Sequence, residues 1–122
     1  MSNAAKAYAK TAQTTASPRE IEAQALLKAA NQLQDVLNVT DATTGERMQA
    51  ALLFNRKLWS IFLSDAMRDE NPQPLEVRQN IANIGVFVMT QTAALQLSPE
   101  PANLQPLIDI NRNIAAGLSG VA

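Results

Sequence analysis

Asp65 and Asp69 stand one helical turn apart, with Glu70 beside the second. Carboxylates so spaced could hold a hard cation or divide the work of a general acid and base. They fall at the polar end of a helix, where such groups are ordinarily solvated, so neither role is expected of them. Histidine and cysteine are absent from all 122 residues, which removes histidine bases, thiolate nucleophiles, disulfides and the nitrogen and sulfur ligands of zinc, copper or haem. Gly45, Gly85, Gly117 and Gly120 are neither clustered nor followed by the lysine of a phosphate-cradling loop. No catalytic residue, metal or cofactor is expected.

Binding is the remaining chemistry, and the stretch LLFNRKLWSIF, residues 52 to 62, holds the residues best suited to it. Counting in steps of four, three and four from Met48 reaches Leu52, Asn55 and Trp59, so Asn55 lies on the buried stripe itself. A buried amide without partners costs on the order of 1 to 3 kcal/mol, and Asn55 therefore demands a hydrogen-bonding neighbour. Asn111 occupies an equivalent inward position, and Asn80 or Asn83 flanks the core. Such amides either fix helix register, as a buried Asn does in coiled coils, or line a groove and meet a partner's backbone. Trp59 and Phe62 read first as core anchors, second as interface anchors. Arg56 and Lys57 rotate onto solvated angles, where they would form the rim of a peptide groove. With Tyr8 of the first segment, the candidate partner-binding residues are Tyr8, Asn55, Arg56, Lys57, Trp59 and Phe62.

The elements that must position these residues are helices. Residues 4 to 13, AAKAYAKTAQ, predict a short N-terminal helix that must dock or fray, because so short a helix does not hold itself together in water. Ser17, Pro18 and Glu20 supply a capping box for a helix running to about Asn38, with Ile21, Ala25, Leu26, Ala29, Leu33, Val36 and Leu37 on one face. Thr43 and Glu46 predict a second box and a helix from about Thr44 to Arg68, with Met48, Leu52, Asn55, Trp59, Phe62 and Ala66 inward. DENPQP breaks the chain before a third helix, near Pro74 or Leu75. Its stripe is Val77, Ile81, Ile84, Val88, Gln91 and Leu95, widened by Phe87 and Leu97, and Gly85 would let a neighbouring helix approach closely. After the loop SPEPAN, Leu104, Leu107, Ile108, Asn111, Ile114, Ala115 and Leu118 mark a last helix ending at Gly117 or Gly120. The predicted fold is all-α: one domain over residues 1–122, a small antiparallel bundle of four main helices plus the short N-terminal helix over 1–16.

Composition agrees with that architecture and narrows the partners. Hydrophobic residues make up 47% of the chain but aromatic ones only 4%, a mixture suited to close-packed helices. Ten basic against eleven acidic residues leave a net charge of −1, with no basic cluster longer than Arg56 and Lys57. That is a poor footprint for a phosphate backbone, so direct nucleic-acid binding is disfavoured. No apolar run approaches bilayer length and no secretory leader pattern is present, so a cytoplasmic protein without membrane contact is expected.

NRKLWSIF, with PREIEAQALLKAANQL before it and RQNIANIGVFV after it, resembles the FlaF family of flagellar biosynthesis regulators, over roughly residues 5 to 118. The resemblance implies a small cytoplasmic protein, without catalysis, that promotes flagellin production and filament assembly. It implies flagellin as a partner, with the helical bundle acting as a secretion chaperone that holds one of flagellin's amphipathic terminal helices. The segment carrying Tyr8 would then occupy the groove until the guest displaces it. The alternative it implies is a post-transcriptional module acting through an FlbT-like regulator or flagellin mRNA.

Overall fold

The computed structural model describes residues 17–120, and among them every regular element is a helix. Helix α1 spans Pro18–Asn38, α2 Thr44–Ala66, α3 Leu75–Leu97 and α4 Gln105–Leu118, with a short 3-10 turn, Pro101–Leu104, leading into α4. The short N-terminal helix expected over residues 4 to 13, with Tyr8, lies outside the described residues. No helix among the described residues is long and apolar enough to cross a membrane.

The helix ends show which local signals were decisive. At α1 the Ser17 hydroxyl accepts from the Glu20 amide at 3.1 Å and Pro18 opens the first turn, as the capping box predicts. At α2 the expected Thr43–Glu46 box does not form. Thr43 is already in a helical conformation, with φ −94° and ψ −1°, so its side chain does not address the helix's free amides. Instead the Asp41 carboxylate accepts from the Thr43 amide at 2.8 Å and from its hydroxyl at 2.6 Å. Arg47 ties this turn to α1 by donating to the Val39 and Asp35 carbonyls.

Helix α2 stops at Ala66, two residues before the expected Arg68, because side chains from beyond it take up its last carbonyls. Asn71 donates to the Asp65 carbonyl at 3.0 Å, and Arg78 of α3 to that of Ala66, also at 3.0 Å. At the other end of the same pair, Gln49 donates to the Gln96 carbonyl at 3.3 Å. Helix α4 ends at Leu118, its last apolar residue, and two residues on Gly120 takes the left-handed φ of 73°.

The most extensive helix pairings are α1 with α4, α2 with α3 and α1 with α2, while α3 and α4 share no comparable packing. The core is built from Leu26, Leu33 and Val36 of α1, Met48, Leu52 and Trp59 of α2, Val88 and Leu95 of α3, and Leu107 and Ile108 of α4. Ala23, Ala29 and Ala30 complete the inward face of α1, where Ile21 turns out to be exposed. On α3 the expected stripe is only partly buried: Val88 and Leu95 face inward, whereas Val77, Phe87 and Leu97 face solvent. The physical reason for Phe87 is the missing packing of α3 on α4, which leaves that flank of α3 uncovered. Gly85 lies beside Trp59 and Leu63, but an added Cβ would meet Leu63 at 3.4 Å, an ordinary contact, so the approach is no closer than alanine allows.

Candidate functional site

Two kinds of feature deserve comparison as sites: a polar network inside the bundle and two grooves on its surface. The network begins at Trp59, whose indole N–H donates to Asn111 Oδ1 at 2.8 Å. Asn111 Nδ2 then donates to Asn55 Oδ1 at 2.7 Å. All three side chains are fully enclosed. Helical periodicity put Trp59 and Asn55 on one face of α2 and Asn111 on the inward face of α4, and packing brought the two faces together. Only the Asn55 Nδ2 donor has no partner among the described residues.

The candidate partner-binding residues therefore do not form one surface. Asn55 and Trp59 are interior, and Phe62 is half-buried against the Trp59 ring, edge to face with centroids 5.6 Å apart. Arg56 and Lys57 are exposed on α2. Tyr8 lies outside the described residues.

The first groove follows from the open seam between α3 and α4. It encloses about 390 Å³ and is lined by Asn83, Ile84 and Phe87 of α3 and Ile110, Asn113 and Ile114 of α4. No charged group lines it, consistent with an α3 that carries no charged residue from position 79 to position 97. Four apolar side chains with two amides at their margin can receive apolar anchors while satisfying the odd polar group beside them. Ile84, Phe87 and Ile114 were legible as stripe residues. Ile110 and Asn113 were not, because each lies just off the helical face that the core pattern marks.

The second groove lies between the start of α1 and the end of α2. It encloses about 580 Å³, with Ile61 and Phe62 as an apolar strip, Glu22 and Asp65 as acids, Arg68 at the rim, and Ser60 and Ser64 between. Arg68 donates to Asp65 and to Glu70, both at 3.1 Å. Partial burial pushes the Glu22 carboxyl above its ordinary range, neighbouring Asp65 adds to the shift, and Arg19 works against it. Elsewhere, hydrogen bonds from the Thr43 hydroxyl and amide hold Asp41 below the usual carboxylate range.

Among the described residues no group of three or more acidic, histidine or cysteine side chains could hold a metal ion, and Asp65, Asp69 and Glu70 form no such centre. What the arrangement offers chemically is recognition by shape and apolar contact. The chain matches no curated protein and no solved structure. A family described as Flagellar protein FlaF matches residues 4–118, and with nearly the whole length so covered the chain belongs to the FlaF family.

Proposed function

We propose that this flagellar protein promotes flagellin synthesis and filament assembly by binding flagellin as a chaperone-like helical bundle in the cytoplasm. The observation that carries the reading is the uncharged, apolar seam between α3 and α4. A helix laid along such a seam buries anchors spaced three or four residues apart, which is how grooves recognise amphipathic helices. Flagellin's terminal helices are guests of that kind before they polymerise. The interior position of Asn55 and Trp59 assigns them to holding α2 and α4 in register behind the groove.

Isothermal calorimetry with purified flagellin tests this reading, with truncated flagellin lacking its terminal helices as the comparison. The expected result is binding at micromolar concentrations that disappears with the termini. No binding, or equal binding by the truncated form, would overturn it. An action through an FlbT-like protein is the second reading, and the same exposed apolar flank of α3 favours it over direct contact with mRNA. Pull-down before and after RNase treatment separates these: a protein partner survives the nuclease and an RNA-bridged one does not.

A further inference from the structure

Helix α3 carries two stripes. Gly85, Val88, Thr92 and Leu95 mark the inward one, buried against the bundle. On the opposite side, steps of four and three from Gln79 pass through Asn83, Val86, Thr90 and Ala93 to Leu97, and all six residues are exposed. Val86 is 57% and Leu97 89% exposed, although both are apolar. The Thr90 hydroxyl donates to the Val86 carbonyl at 2.8 Å, so this polar group is satisfied within its own helix and asks nothing of a neighbour. Alternating fours and threes are the period of a coiled-coil seam, and a helix apolar on both sides is ordinarily covered on both.

Charge selects what covers the outward stripe. In a two-fold pairing each residue near the axis meets its own copy, so a charge on the seam would face itself. From position 79 to position 97 there is none, whereas α1, α2 and α4 each carry both acidic and basic side chains and no uncharged run as long. Asn83 sets the direction of pairing. With the two helices parallel and in register its amide meets the same amide, and each both donates and accepts, as a buried Asn does at the seam of a parallel coiled coil. Antiparallel pairing about the middle of the seam would set Asn83 against Ala93 or Leu97, where the amide finds no partner. The seam runs about 27 Å along α3, and covering it would bury roughly 600 Å² per copy, the low end of specific interfaces. An interface of that size suits association at micromolar concentrations.

We propose that this chain pairs with a second copy of itself through the outward face of α3, the two α3 helices lying parallel about a two-fold axis with Val86 against Val86 and Leu97 against Leu97. The groove offered to flagellin lies on the flank of α3 that carries Ile84 and Phe87. The measurements that follow use this chain alone, so failure of either reading leaves the other standing.

Sedimentation equilibrium on the full chain, from micromolar to near-millimolar concentrations, should show the mass doubling. Val86→Glu with Leu97→Glu changes only exposed side chains, so circular dichroism should match the parent while the doubling disappears. Ile61→Glu, at a comparably exposed apolar site on α2, should leave the doubling intact. The sequence contains no cysteine, so Val86→Cys gives a single thiol that a parallel seam brings within disulfide reach of its copy, whereas Arg56→Cys on α2 should stay unlinked under the same mild oxidation. Three results would overturn the proposal: a chain that stays monomeric throughout, a dimer that ignores the two glutamates or is lost equally with Ile61→Glu, or a dimer whose Val86→Cys form cross-links no faster than Arg56→Cys. The first would leave the outward face of α3 to a different protein.

Discussion

The Trp59 indole N–H donates to Asn111 Oδ1 at 2.8 Å across 52 positions of chain, and this bond sets the sense of the whole buried network. An indole nitrogen can only donate, so Asn111 must present its oxygen to Trp59 and its Nδ2 to Asn55. Asn55 must in turn present its oxygen, which leaves Asn55 Nδ2 as the terminal donor. One apolar-bodied side chain on α2 thereby fixes the orientation of two amides and pins α4 to α2 at a single register.

Asn111 and Trp59 should be energetically coupled. Asn111→Leu strands the indole N–H and the Asn55 oxygen, while Trp59→Phe strands the Asn111 oxygen and removes ring volume. Each is expected to cost about 2 to 4 kcal/mol in denaturant unfolding. Once either partner is gone the other has less to lose, so the double variant should be less destabilised than the sum by about 1 kcal/mol or more. Simple additivity would show that the bond contributes nothing specific.

Position in the network also ranks its two amides. Asn111→Ala deprives two partners, Trp59 and Asn55, whereas Asn55→Ala deprives only Asn111 and removes the unpartnered Nδ2 donor as well. Asn55→Ala should therefore be the milder change by about 1 kcal/mol, although the two delete the same atoms from fully buried sites. Equal costs, measured by urea titration, would mean that Asn55 Nδ2 is satisfied as well as any other donor.

Gly85 invites a stabilising substitution. A Cβ built there meets Leu63 at 3.4 and 3.5 Å and Trp59 at 3.6 Å, all contacts rather than clashes. Gly85→Ala should gain about 0.5 to 1 kcal/mol from helix propensity, added to any packing, whereas Gly85→Val should lose stability against Leu63. Thermal unfolding of the two variants gives the signs, and a destabilised alanine variant would show that the helices sit closer than these distances allow.

The Asp41 turn makes a pH prediction. Hydrogen bonds from Thr43 lower the folded-state pKa of Asp41, so its contribution to stability is present above the unfolded-state value and is lost as pH falls through the folded one. Thr43→Val removes the hydroxyl that donates to Asp41 and keeps the amide donor, and it also takes away the oxygen that accepts from Arg47 Nε at 3.0 Å. Carboxyl NMR titration should find Asp41 closer to the ordinary aspartate range in the variant. An unmoved titration would shift the cause from the Thr43 hydroxyl to the Thr43 amide that the variant retains.

Much of this fold was legible because its signals are local. Period and proline placement located four helices, Ser17 and Pro18 fixed the start of α1, and the step count put Asn55 inside. The partner of Asn55 was not legible, since Asn111 lies 56 positions away and meets it only after α2 and α4 both pack with α1. The seven-residue pattern of α3 misled for a related reason. That helix is apolar nearly all round, so periodicity alone could not say which flank a neighbour would cover, and Phe87 was placed inward. The groove at Phe87 results from a helix pairing that is weak, and no stretch of sequence records the absence of a neighbour.

If the α3–α4 seam receives flagellin, Phe87 should matter more to binding than Arg56 or Lys57. Phe87 is 45% exposed and lines the groove, so Phe87→Asp places a charge against an incoming apolar anchor while disturbing little of the core. Loss of an anchor contact of this kind costs about 2 kcal/mol, roughly a thirtyfold drop in affinity. Arg56→Ala and Lys57→Ala change solvated side chains on another helix, and each should alter affinity by less than about threefold. Calorimetry on variants whose circular dichroism and melting temperature match the parent reads the difference directly. The reverse ranking would move the binding face from the seam to the exposed side of α2, and with it the role expected of the basic pair.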